Sequence, residues 1–143
     1  MRKTRFRSKS ERGQAMVEFA IVVPLLLMVL MGIMQLGVVY NNWVTLTDAS
    51  RAGGRQAAVS RGLADPSGTT VARVKASAVN LDQTQLKACA SSSTSGTPPS
   101  CPAPSWTQGS DVTVIATYPY GINVMGVVVA SGTLTATTTE RVE

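Results

Sequence analysis

The sequence predicts an α+β chain: a long N-terminal transmembrane helix that continues into a small exported domain with one packing helix and a short antiparallel sheet. Three observations predict it. No charged residue lies between Phe19 and Thr47. A helical apolar period then persists to about Arg61, and the C-terminal part alternates apolar and β-branched residues between turn signals.

The helix comes first in the chain and follows a basic leader. Arg2, Lys3, Arg5, Arg7, Lys9 and Arg12 stand against Glu11, so the first twelve residues hold the whole chain's net charge of +5. Beyond them seven bases are scattered singly among seven acids. Nucleic-acid binding needs clustered cations that release counterions from phosphates, so a nucleic-acid partner is not expected. Lys and Arg beside a first apolar segment are held on the cytoplasmic side, which sends the rest of the chain outward. The expected placement is the inner membrane in a single pass, N-terminus cytoplasmic and C-terminal domain periplasmic.

Phe19 to Tyr40 would measure about 33 Å as a helix, close to the hydrocarbon thickness of a bilayer. This is longer than the apolar core of a cleaved secretory signal and lacks its small-x-small exit. Membrane lipid is therefore a partner, and Tyr40 and Trp43 fall where aromatic belts mark an interface. Pro24 sits inside the run, where membrane helices tolerate it, either as a simple kink or as a bend that helps helices pack. Glu18 lies just inside the run, five residues beyond Gly13. A carboxylate in hydrocarbon costs a few kcal/mol, so it requires a partner or a role. Cleavage after Gly13 would create an α-amino group on Gln14, and a neighbouring subunit's amine could neutralise Glu18.

The run Arg12-Gly13-Gln14-Ala15-Met16-Val17-Glu18-Phe19-Ala20, followed by Ile21-Val22-Val23-Pro24, resembles the class III prepilin motif, in particular that of TadE-like minor pseudopilins of tight-adherence (Tad, or Flp-type) pilus systems. Asp48-Ala49-Ser50-Arg51-Ala52-Gly53-Gly54-Arg55-Gln56-Ala57-Ala58 resembles the same family's Ala-Arg-x-Gly repeat, with a doubled glycine as a departure, so that the resemblance covers about residues 12 to 60. The resemblance implies processing between Gly13 and Gln14 by a prepilin peptidase and assembly through Glu18, Phe19 and Pro24. It also implies other pilin and pseudopilin subunits and an inner-membrane assembly platform as partners, in a pilus used for adhesion and biofilm formation. The rival expectation is an unprocessed single-pass envelope protein whose periplasmic domain binds a secretion-system partner.

The expected organisation is a leader over 1–13, a transmembrane helix over 14–40, a helical extension over 41–61 and a disulfide-stabilised domain over 62–143. In the extension Trp43, Leu46, Ala49, Ala52 or Gly53, and Ala57 share one face. Ala49, Gly53 and Ala57 form a small-residue row, suited to a neighbouring helix or to a contact with the C-terminal domain. Gly62 and Asp65-Pro66-Ser67-Gly68 are expected to end this helix as turns. A second helix is expected over Thr70 to Lys87, with Val71, Val74, Ala78, Leu81 and Leu86 facing inward.

Cys89 and Cys101 bracket a Ser-, Thr- and Pro-rich loop, and two cysteines in an exported domain pair as a disulfide. A ring of that size contributes about 3 kcal/mol by loop entropy. Without histidine, two thiols do not complete a zinc shell, so neither metal nor cofactor is expected. A strand follows, with Val112, Val114, Ala116, Tyr118 and Tyr120 on one face, and is expected to end at Pro119. A partner strand is expected over Thr133 to Thr139, after a glycine-containing stretch from Gly121 to Gly132 in which Val127 to Ala130 is either strand or apolar loop. Zero histidines and the lack of a nucleophile elbow or phosphate loop argue against an enzyme.

Overall fold

A single helix dominates the chain because nothing in its first half stops one. The computed structural model describes residues 9–92 and 106–143, with side chains from residue 13 onward. The leader bases, the polar loop beyond Ser92 and Cys101 fall outside that description, wholly or in their side chains. Helix α1 (Lys9–Val59) runs for 51 residues through Pro24, about 76 Å at the usual helical rise. It ends just short of Arg61, where Ser60 N–H turns back to the Ala57 carbonyl at 3.1 Å.

The expected turn at Asp65-Pro66-Ser67-Gly68 is instead a helix start. Pro66 opens helix α2 (Pro66–Ser77), and the Asp65 side chain accepts the Gly68 N–H at 2.8 Å. Proline suits a first helical position because no intrahelical donor is needed there, while aspartate satisfies one of the free amides. These bonds, with one from the Ser67 hydroxyl at 3.0 Å, hold the Asp65 carboxyl below its ordinary value of 3.8.

The second helix also stops earlier than its apolar period suggests. After Ser77 the Gln83 amide donates to the Ala78 and Leu81 carbonyls at 2.8 and 3.1 Å, tying together the turn that follows the helix. Asp82 then folds over Thr84, accepting its hydroxyl at 2.7 Å and its N–H at 2.9 Å, which lowers the Asp82 pKa. Leu81 and Leu86 remain buried, at 4% and 3% exposure, but from a turn. Lys87, expected as the last helical residue, begins strand β1 (Lys87–Ser91).

The sheet is antiparallel in the order β1-β2-β3, with β2 (Asp111–Val124) central and β3 (Val127–Arg141) outermost. Register is set by Cys89↔Ile115 on one side and Ala116↔Ala136 on the other. Strand β2 does not end at Pro119, which pairs with Thr133. Strand β1 reaches only Thr117 of β2, so beyond it one side of β2 is an open edge, where a missing donor is tolerated. The stretch Gly121 to Gly132 is accordingly a hairpin. Val124 pairs with Val127 across Met125 and Gly126, whose φ angles are 51° and 87°. Two successive positive values make a two-residue turn whose twist matches the strands.

One face of the sheet lies under the helices. Leu46, Ala49 and Ala57 of α1 pack with Val74 of α2, Ala88 and Ala90 of β1, Val112, Val114 and Ala116 of β2, and Ala136 of β3. Trp43, placed with this face by periodicity, is instead 46% exposed and tilts against Tyr40 with ring centroids 5.9 Å apart. The Ser50 hydroxyl, fully buried, meets that of Thr138 at 2.9 Å and ties α1 to β3. The C-terminus closes the end of the core: Val142 is 2% exposed, and the Glu143 N–H donates to the Ala58 carbonyl at 3.1 Å. Cys89 is disulfide-bonded.

Candidate functional site: an apolar helix with one acid near its start

The first half of α1, up to Met34, stands largely exposed. Phe19, Ile21, Leu25, Ile33 and Met34 expose 60–73% of their surfaces, although each would leave water readily. Among the described residues this is the one helix long and apolar enough to cross a membrane. Its length and composition suit a single-pass membrane anchor.

At its start the geometry is sparse. Gly13 lies within the helix, and a β-carbon built on it would meet nothing within 4 Å. The Gln14 amide donates to Glu18 Oε1 at 3.3 Å, one turn further on. This pairing follows from helical spacing, which places residues four apart side by side. Phe19 follows on the open surface, and Pro24 removes the donor that would have served the Ala20 carbonyl. Gly13, Gln14, Glu18, Phe19 and Pro24 thus share one exposed stretch of helix, with a single carboxylate as its charge from Gly13 to Thr47.

The second block predicted from sequence sits at the other end of α1 and does a different job. A β-carbon on Gly53 would collide with Val74 Cγ2 of α2 and lie 3.3 Å from Val114 Cγ1 of β2. One on Gly54 would sit 2.9 Å from Glu140 Cγ and 3.0 Å from Thr138 Cγ2 of β3. The small-residue row therefore brings α1 against its own domain, and the doubled glycine serves two approaches. Arg51 reaches Asp48 at 3.8 Å with both side chains well exposed, a pair of little energetic weight.

Sequence reasoning gave no role to Gln35. Its side chain donates to the Asn123 carbonyl and accepts the Asn123 N–H at 2.6 Å, joining the anchor helix to the hairpin 88 residues away. The signal was present, since an amide in an apolar run needs a partner for the same reason as an acid does. No group of three or more His, Cys, Asp or Glu residues is gathered for a metal among the described residues.

A family model described as TadE-like protein matches residues 13–55. The match begins at Gly13 and ends just after the doubled glycine, so it covers the exposed helix and its entry into the core. No curated protein and no solved structure matches the chain.

Proposed function

Starting from a TadE-like N-terminal segment, residues 13–55, we propose that the protein is a minor pilin or pseudopilin taking part in assembly of a Tad (Flp-type) pilus used for adhesion and biofilm formation. Its role is structural, not catalytic. The observation that carries this reading is Glu18: one acid on an exposed apolar helix, one turn from the predicted new terminus.

Processing by a prepilin peptidase would cut the Gly13–Gln14 bond. That bond lies inside α1, and a peptidase needs an extended substrate, so the first turns must unwind. Gly13 lowers the cost of unwinding, because glycine disfavours helix by about 1 kcal/mol relative to alanine. The cut leaves an amine on Gln14 and turns it into a helix start, whose dipole favours Glu18. In a bundle the Gln14 amine of one subunit meets Glu18 of the next, which neutralises a carboxylate that lipid alone would not accommodate. Other pilin and pseudopilin subunits and the inner-membrane assembly platform are the partners of this step. The domain lies in the periplasm, and outside the cell once built into a fibre.

Intact-mass measurement of the membrane-extracted protein tests the reading. A chain beginning at Gln14 is expected; one that retains Met1 to Gly13 supports an unprocessed envelope anchor whose domain binds a secretion-system partner. In parallel, E18A is expected to abolish incorporation into pili while membrane insertion is kept or improved. Incorporation at the unsubstituted level would overturn the pairing.

A further inference from the structure

The β2–β3 hairpin has no Asp, Glu, Lys or Arg from Val112 to Thr139, and its apolar residues crowd the end away from the core. Met125, Val127, Val128 and Val129 are each between 62% and 66% exposed. The register shift after Ile122 sets Val129 out of step with its neighbours, so the valines do not all share one face of the strand. A contiguous apolar projection of this kind marks a surface that meets something other than water.

What it meets is decided by where the tip lies. Asn123 is clamped to Gln35 through both of its backbone groups, and Gln35 is five residues before Tyr40, about 7–8 Å deeper along the anchor helix. The tip therefore stands beside a part of α1 that itself faces lipid. The clamp suits that depth. In hydrocarbon neither a side-chain amide nor a free backbone group finds water, and here the Gln35 amide and the Asn123 backbone satisfy each other. On its domain side the helix and β3 flank an open apolar groove lined by Leu36, Val39, Tyr40, Trp43 and Leu134. Tyr118 and Tyr120 line the opposite groove, so with Tyr40 and Trp43 they form a group of aromatics on the domain side of the clamp.

We propose that the β2–β3 hairpin tip is a second membrane-contacting element, seated among the acyl chains of the leaflet nearest the domain. The turn at Met125 and Gly126 lies two to three residues beyond the clamp, about 7–10 Å deeper still. This rests on α1 being the membrane anchor and is independent of the filament reading.

The full-length protein in phosphatidylcholine–phosphatidylglycerol vesicles tests it. In a W43F, W106F background, V128W supplies one indole at the tip. Its emission is expected to be blue-shifted, quenched by lipids brominated on the upper acyl chain and shielded from aqueous acrylamide. Quenching by acrylamide with no response to brominated lipid would overturn the proposal. Shielding that ignores brominated lipid and disappears as protein is diluted into excess lipid would also overturn it, because the cover is then a second copy of the chain. M125W repeats the measurement should V128W disturb the strand. Flotation with the vesicles separates the two levels: a protein that floats with a water-exposed indole refutes the hairpin seat alone, whereas one that fails to float refutes the anchor.

Discussion

At the scale of single residues, Gly53 is kept small by its neighbours and Asp65 is placed by the helix start that it caps. Replacing a helical glycine with alanine normally gains up to about 1 kcal/mol. At Gly53 the added carbon meets Val74 and Val114, and overpacking costs about 1–3 kcal/mol. G53A is therefore expected to lower the domain's melting temperature in a thermal scan, whereas G62A, where nothing lies within 4 Å, is expected to leave it nearly unchanged. Asp65 and Asp82 are acids whose folded pKa values are depressed by hydrogen bonds to Gly68 and Thr84. A depressed value means that the stabilisation is complete above the unfolded pKa and is lost as pH falls through the folded one. Melting temperature measured from pH 5 to strong acid, about pH 2, is thus expected to fall mainly below 3.8, the ordinary value, and less steeply in D65A than in the parent.

At the scale of elements, Leu46 measures how far the anchor helix belongs to the domain. It is fully buried in a core shared with α2 and all three strands. L46A is expected to destabilise the domain by about 2–5 kcal/mol in chemical denaturation, while flotation with membranes stays as before. Much at this scale was legible in the sequence. The helix announced itself through length and lack of charge, and its core face through Leu46, Ala49, Gly53 and Ala57. The misreadings arose where local chemistry competes with periodicity. Leu81 and Leu86 kept the helical period though the chain had already turned, because Gln83 and Asp82 satisfy the backbone in another way. Strand β1 is short, and its Ala88, Cys89 and Ala90 have no strong β preference. It exists because β2 offers it a ladder. Pro119 signals a stop in the sequence, which does not say that β1 ends first. The Gln35–Asn123 clamp joins residues 88 positions apart, and no local pattern encodes such a pair.

At the scale of the molecule, the proposed processing end and the core lie on one unbroken helix of 51 residues. Gly13, Glu18 and Pro24 are at its start, and Leu46 to Ala57 at its end are held by the sheet and α2. No loop divides them. With α1 intact, the domain has no swivel of its own, and the compass bearing of Glu18 about the helix axis is fixed by where the sheet grips the far end. Each residue of helix turns that bearing by about 100°. One alanine inserted between Met28 and Val29 is therefore expected to aim Glu18 away from its neighbour and stop pilus incorporation. Four inserted alanines return it to within about 40° of its first heading and are expected to restore much of the incorporation, as scored by immunoblot of sheared fibres. The helix then acts less as a tether than as a keyed shaft, cut so that the sheet at one end dictates the angle of the tooth at the other.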